Sequence, residues 1–303
     1  MLDAYRDLAE NYLAIPVITG EKSALERFAG ADKTYTFEGL MPDGKALQMG
    51  TSHMLSQSFA AAFDVKFQDK NGGLSTPFCT SWGVTTRLIG ALVMTHGDQN
   101  GLIIPPKVAP TQVVIVPIVK TEEQREPVVQ AAQNLASELE KNNLRVNIDL
   151  DDQKTPGAKF YHWELRGIPV RIEIGPKDVE KQQAVVVNRI EQDKAKRKQF
   201  VALAQVPESL NVLLENIQKE LYHRALQKRD AQWHQADALD DFAEKLSKHN
   251  GMYQTGWCGN VECEQVLKQY QGTIRCIVDD KKHTACFNCK QASVHEIVLA
   301  KAY

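Results

Sequence analysis

Of the six cysteines in this 303-residue chain, five crowd into its end, at Cys258, Cys263, Cys276, Cys286 and Cys289. Four residues separate Cys258 from Cys263, two separate Cys286 from Cys289, and 22 lie between the pairs. Two short pairs on tight turns each converge two thiolates, and the loop lets the pairs meet, which is the requirement of a tetrahedral zinc site. Four protein ligands leave no open coordination position, so such a site is structural and not catalytic. The competing reading is a set of unrelated buried thiols. Cys276, inside the strand-like "TIRCIVDD", reads as a packed thiol, Cys79 stands alone, and His283 and His295 are alternative ligands.

Two further groups could do chemistry. The run "VNRIEQDKAKRK" brings Arg189, Lys194, Lys196, Arg197 and Lys198 close together, as either a solvated face or a polyanion-binding edge. The stretch "TSWGVTTRLIGALVMTHGD", residues 80–98, sets the single Arg87 at the head of an apolar run. With "ALQMGTSH" it offers Gln48, Thr51 and His53 at a strand end and an arginine suited to phosphate. On residue types alone Arg87 could equally be a structural ion-pair residue, and His53 a satisfied core histidine.

These residues need elements to position them. Hydrophobic residues at 43% and charged residues at 24% make an ordinary globular mixture, long enough for two or three cores. A net charge of −2 leaves nucleic-acid binding to local patches. No apolar run approaches the roughly 18 residues of a membrane span, and the acidic start "MLDAYRDLAENYLAIP" is no signal peptide. A cytoplasmic setting is the expectation, with thiols kept for metal.

The first region reads as mostly antiparallel. A helix over 3–14 precedes the strand "AIPVITG", two strands flank the turn "MPDGKA", a short helix covers 55–63, and "AAFDVKFQD" and "STPFCTSWG" are strands. After "IPPKVAP" the buried strand "QVVIVPIV", a helix over 126–142, "LRVNIDL", a helical "PGAKFYHWELRG", "IPVRIEIG" and "QQAVVVNRI" alternate as an α/β domain. A third region opens near Pro207 with a stripe of Leu210, Leu213, Leu214, Ile217 and Leu221, a second helix over 237–248 and the cysteine module. Three separate units are therefore expected, at 1–109, 110–205 and 206–303, with no sheet continuous across their boundaries.

Several long stretches together carry a resemblance: "FAGADKTYTFEGLMPDGKALQMGTSHMLSQSFAAAFDVKF", the 80–118 segment, "WELRGIPVRIEIGPKD" and the final "AKAY". The chain resembles the prolyl-tRNA synthetase family, of the archaeal and eukaryotic-like type with a zinc-bearing C-terminal domain. The resemblance implies an α+β remnant of a class II catalytic domain, an α/β anticodon-binding domain and a small α+β zinc domain. It implies that Arg87 is the motif 3 arginine holding the γ-phosphate of ATP, with Leu88 to Met94 packing behind the catalytic sheet. It places Gln48, Thr51 and Thr85 on ATP. It places His53, Ser81, Trp82 and Gly83 around proline, with Phe28 as a wall of that pocket. Glu164, Arg171 and Lys177 fall where family members read the guanines of the proline anticodon. The implied reaction joins L-proline to tRNA(Pro) through prolyl-adenylate, with ATP, Mg²⁺ and structural Zn²⁺, and no acid/base dyad. In the family a homodimer forms through motif 1. The resemblance starts just after motif 2, so these 303 residues lack motif 1, the proline-binding loop and the motif 2 arginine, and are expected to be inactive alone. A non-enzymatic RNA-binding or regulatory fragment is the rival reading.

Overall fold

The computed structural model describes residues 1–303, which form two compact units: 1–11 with 15–95 and 225–303, and 12–14 with 96–224.

The first unit opens with helix α1 (Leu2–Asp7), extended by a wider turn to Tyr12. Strands β1 (Val17–Glu21), β2 (Lys33–Leu40) and β3 (Ala46–Ser56) follow as an antiparallel meander. The β2–β3 turn is closed at Pro42, Asp43 and Gly44, and Gly44 takes φ +77°, a conformation that glycine adopts without steric cost. Helix α2 (Ser58–Ala62) leads to a small hairpin of β4 (Phe67–Gln68) and β5 (Leu74–Ser75). Strand β6 (Cys79–Val84) then pairs with β3, and helix α3 (Arg87–His96) begins at Arg87.

The second unit is built on a five-stranded sheet. Its strands are β7 (Val113–Pro117), β8 (Val146–Ile148), β9 (Val170–Ile174), β10 (Gln183–Asn188) and β11 (Lys198–Ala202), in the order β11-β10-β9-β7-β8. β7 is parallel to both β8 and β9, whereas β10 runs antiparallel to its two neighbours, β9 and β11. The connecting helices are α4 (Glu122–Lys141), α5 (Pro156–Leu165), α6 (Pro176–Glu180), α7 (Lys194–Arg197) and α8 (Val206–Asp230). The main core joins α4 and α8 to one sheet face through Val113, Ile115, Leu139, Ile172 and Leu210, while Phe160 and Trp163 of α5 cover Val114 and Val116 on the other. Helix α4 starts four residues before the expected 126 and takes Pro127 inside it, at the loss of one backbone hydrogen bond to the turn before.

The rest of the chain completes the first unit: β12 (Trp233–Gln235), α9 (Leu239–Lys248), β13 (Met252–Trp257), α10 (Val261–Gln265), β14 (Thr273–Val278) and β15 (His295–Ala300). These strands continue the first meander into one eight-stranded sheet, β12-β13-β15-β14-β1-β2-β3-β6. The expectation that no sheet crosses the boundaries is thereby corrected: the strands of 225–303 join those of 15–95 in one sheet and one compact unit. The cause is a seam at Glu21 and Ile277, sealed by a buried charge cluster. Glu38 has no exposed surface and accepts from Lys22 Nζ at 2.9 Å and from Arg275 Nε and Nη2 at 3.1 and 2.8 Å. Three buried charges are tolerated because each is paired and hydrogen-bonded. No helix is long and apolar enough to cross a membrane.

Candidate functional site

On the first unit, β2, β3 and β6 present one open face. Cross-strand register sets His53 opposite Thr34 and Ser81, and Thr51 opposite Thr36 and Gly83. Side chains alternate along a strand, so Gln48 and Thr51, three residues apart, should point to opposite faces. An irregularity in the β2–β3 register between Phe37 and Glu38 corrects this, pairing Gln48 with Glu38 and bringing Gln48 to the side of Thr51. Gly50 is what lets the strand lie flat here, since a Cβ on it would stand 2.5 Å from Cε1 of the buried Phe37.

His53 is held at both ring nitrogens, Nδ1 at 2.9 Å from Thr34 Oγ1 and Nε2 at 3.0 Å from Thr51 Oγ1. Thr34 Oγ1 also accepts from the Phe28 amide, so Thr34 and Thr51 together fix the plane of the ring. Burial pushes the His53 pKa below its ordinary value, favouring the neutral ring. The Phe28 ring lies 5.0 Å from the His53 ring and forms a wall that is half exposed. Arg87 stands at the edge of the face. Its Nη1 donates to Gln48 O at 2.9 Å, and its amide donates to Thr85 Oγ1 at 3.2 Å, fixing the turn into α3. Ser81, Trp82, Gly83 and Thr85 are exposed.

Helix α3 differs from expectation. Ala91 and Leu92 are buried, but Ile89 is 64% exposed and Val93 and Met94 are exposed too. The apolar run is therefore buried along one stripe only, next to β6, the last strand of the sheet.

The cysteine pairs meet in the same unit. Cys258 follows β13, Cys263 sits in α10, and Cys286 and Cys289 share a tight turn. All four sulfurs lie within 4.8 Å of one another, with Cys258 at 3.8 Å from Cys263 and 3.7 Å from Cys289. A tetrahedron with metal–sulfur bonds of about 2.3 Å has edges of about 3.8 Å, so the donor set fits a structural divalent ion such as zinc. Burial pushes Cys263 up to about 12. Burial also opposes ionisation of Cys286, but the backbone N–H groups of Asn288, Cys289 and Cys258 outweigh it and bring that thiol down to about 7. His283 instead bonds Glu296 Oε1 at 2.7 Å, His295 lies against the Trp257 ring, and Cys276 is a fully buried core thiol.

On the second unit, Glu164, Arg171 and Arg197 line one small pocket with Trp163 and Val187. Arg171 donates to Glu173 Oε1 through Nε and Nη2 at 3.2 and 2.9 Å, and its guanidinium lies 4.1 Å from the centre of the Phe160 ring. Lys198 takes the other oxygen of Glu173 at 2.9 Å, and Arg197 bonds Glu164. Lys177 is elsewhere, exposed in α6 beyond the end of β9, and does not join this pocket. Arg189 also lines this pocket, but it is 6% exposed and clamps Asp98 with two bonds of 2.7 and 2.8 Å. Asp98 responds with a lowered pKa, caused chiefly by that guanidinium.

Comparison with known proteins gives the same reading along the whole chain. The family model described as an anticodon binding domain matches residues 112–213, and that described as the prolyl-tRNA synthetase C-terminal region matches 239–303. A proline–tRNA ligase of Alkaliphilus oremlandii is 46% identical, with alignment over all of this chain and 62% of that protein. One from Christiangramia forsetii is 45% identical, over all of this chain and 61% of that protein. The crystal structure of prolyl-tRNA synthetase from Cryptosporidium parvum with L-proline and AMP superposes with a TM-score of 0.90 at 36% identity, over all of this chain and 65% of that one. The chain belongs to the prolyl-tRNA synthetase family, in its C-terminal region. It spans about three fifths of the length of the curated relatives it matches.

Within this synthetase region the structure gathers Gln48, Thr51, His53, Ser81, Gly83 and Arg87 on one face, and Glu164 with Arg171 in one pocket. Sequence reasoning missed Thr34, Glu173 and Phe160, which hold His53 and Arg171 in place. For Glu173 a signal existed: alternation along "VRIEI" puts it on the same strand face as Arg171.

Proposed function

We propose that this chain supplies the motif 3 side of an ATP and proline site, together with the tRNA-reading domain, of a proline–tRNA ligase. The observation that carries this reading is the single face on which β3 and β6 set Gln48, Thr51, His53 and Ser81, with Arg87 fixed at its edge. Its relatives are named proline–tRNA ligases, and a similar structure was solved with L-proline and AMP.

On this reading Arg87 is a preset charge for the γ-phosphate of ATP. One of its donors is spent on Gln48 O, so the guanidinium keeps its aim while others face phosphate oxygens. Gln48, Thr51 and Thr85 orient the nucleotide. Neutral His53, Phe28, Ser81 and Gly83 enclose the pyrrolidine ring without adding a second charge, whereas Trp82, paired with Ser52, lies on the opposite strand face and is the least supported member of the expected pocket. The proline carboxylate attacks the α-phosphate and the bond to pyrophosphate breaks. The 3′-hydroxyl of tRNA(Pro) then takes the prolyl group and AMP leaves. Positioning and charge stabilisation do this work, with no acid/base pair required. Mg²⁺ would neutralise triphosphate charge. Zn²⁺ on Cys258, Cys263, Cys286 and Cys289 would tie β13 and α10 to the 286–289 turn. Glu164 and Arg171 read the anticodon, and the expected role of Lys177 there is the least supported of the three.

The test is one preparation of the 303-residue polypeptide in two assays. In the first, it should bind tRNA(Pro) in preference to a tRNA of different anticodon. In the second, proline-dependent pyrophosphate–ATP exchange should be negligible, since Arg87 alone meets the triphosphate and losing one preorganised donor costs roughly 10²–10³ in rate. Robust exchange would overturn the expectation of inactivity, and loss of tRNA preference would overturn the anticodon reading.

A further inference from the structure

The basic run ends in an element that the functional reading above leaves unused. Strand β11 follows it directly, at the edge of the five-stranded sheet, and carries Phe200 at 70% exposure. A lone exposed phenylalanine is ordinary. The setting of this one is not. Val185 pairs with Glu173 on one side and with Phe200 on the other, so the three residues form a row on one sheet face. The neighbouring row is Arg171, Val187 and Lys198. Val185 and Val187 are buried, which makes a firm floor between the pocket and the aromatic ring.

We propose that Phe200 is a stacking platform for an unpaired base of the RNA whose neighbouring nucleotides Glu164 and Arg171 read. The inference rests on the anticodon reading above and adds a residue to it. Two strand spacings, about 10 Å, separate Phe200 from the Glu173 that holds Arg171. That is a span for an adjoining nucleotide and too far for the same base. Lys198, on the same face two residues away, balances Glu173, and Lys196, with a side chain 73% exposed, adds positive charge just before the strand in α7. Stacking needs only a π-face, so Phe200 adds affinity with little dependence on which base it meets, while hydrogen bonds in the pocket supply selectivity. As an edge strand, β11 leaves the far side of the ring open for a base to approach.

The experiment uses the 303-residue chain and an anticodon stem–loop RNA carrying 2-aminopurine at one loop position at a time. Phe200→Leu keeps apolar bulk and removes the π-face, Phe200→Trp enlarges it, and Arg171→Ala serves as reference. Phe200→Leu should raise Kd about 5- to 100-fold for cognate and altered anticodons alike, Phe200→Trp should bind at least as well as the parent, and one 2-aminopurine position should lose its quenching in Phe200→Leu only. If Arg171→Ala weakens binding and Phe200→Leu leaves it unchanged, the platform is overturned and the anticodon reading stands. If neither variant changes binding, both fall. A change of oligomeric state in Phe200→Leu with RNA affinity intact would show the ring to be a protein contact and also overturn the platform.

Discussion

Arg171 is braced before any RNA arrives. Glu173 fixes two of its donors, and the Phe160 ring lies against its guanidinium. A guanidinium held in this way loses little rotamer freedom on meeting a base edge, which favours selectivity over mere attraction. Arg171→Ala should therefore weaken binding of proline tRNA by roughly 1–3 kcal/mol and relax anticodon preference, measured by competition between cognate and altered stem–loops. Lys196 is different, a solvated charge beside Asp193 at 3.9 Å. Lys196→Ala should weaken all tRNAs alike and lower the salt slope of log K by roughly one unit. Equal behaviour of the two variants toward mismatched anticodons would show that Arg171 reads no base. Residue types alone marked both as basic, and only the family resemblance set Arg171 apart as a base reader. Neither could show that Arg189, from the same run, was already committed to Asp98, 91 residues away. A residue's charge is local information, whereas its partner is set by the fold.

At the scale of elements, legibility followed the range of the interactions. The β2–β3 hairpin was plain because turn chemistry and alternation are both local, and Arg87 was read at the junction where α3 begins. Strand β11 was hidden, since its sequence continues a charged run and its pairing with β10 alone makes it a strand. Helix α8, 25 residues long, was visible only across its apolar stripe, because the polar turns beyond it carry no comparable signal. The displaced register in β3 left no trace in residue types, yet it brings Gln48 beside Thr51. Gly50→Ala tests that arrangement. The new Cβ would press on Phe37, and overpacking of this kind costs about 1–3 kcal/mol. A lower denaturation midpoint is expected, with weaker nucleotide binding if the register shifts. An unchanged midpoint would mean that Phe37 can move aside.

At the scale of the molecule, the cysteine pairs were the clearest signal and the domain plan the least clear. The pairs declare themselves by spacing, and the folded chain brings their sulfurs within 4.8 Å. What the plan did not contain is that Glu38, read as part of a plain strand, binds Arg275, 237 residues away. A metal on the four thiols should stabilise the fold directly, since ligands scattered in the unfolded chain must converge to bind it. Metal analysis of protein purified without chelator should give about one zinc per chain, lost when Cys286 and Cys289 are both changed to Ser, with a fall in thermal midpoint. Near-zero metal in the parent protein would count against the site.

The seam between β1 and β14 also governs how the protein can be made. Strand β1 is synthesised well before β14, the strand that covers its free edge. Glu38 must likewise wait 237 residues for Arg275. At about 5–20 residues per second, the nascent chain carries an unpaired strand edge and a carboxylate lacking one of its cations for roughly 10–50 s. An open edge is a template for pairing with other chains, so this interval is one of exposure to aggregation. Assembly of the first unit is thus paced by the ribosome and not by the intrinsic folding speed of the sheet.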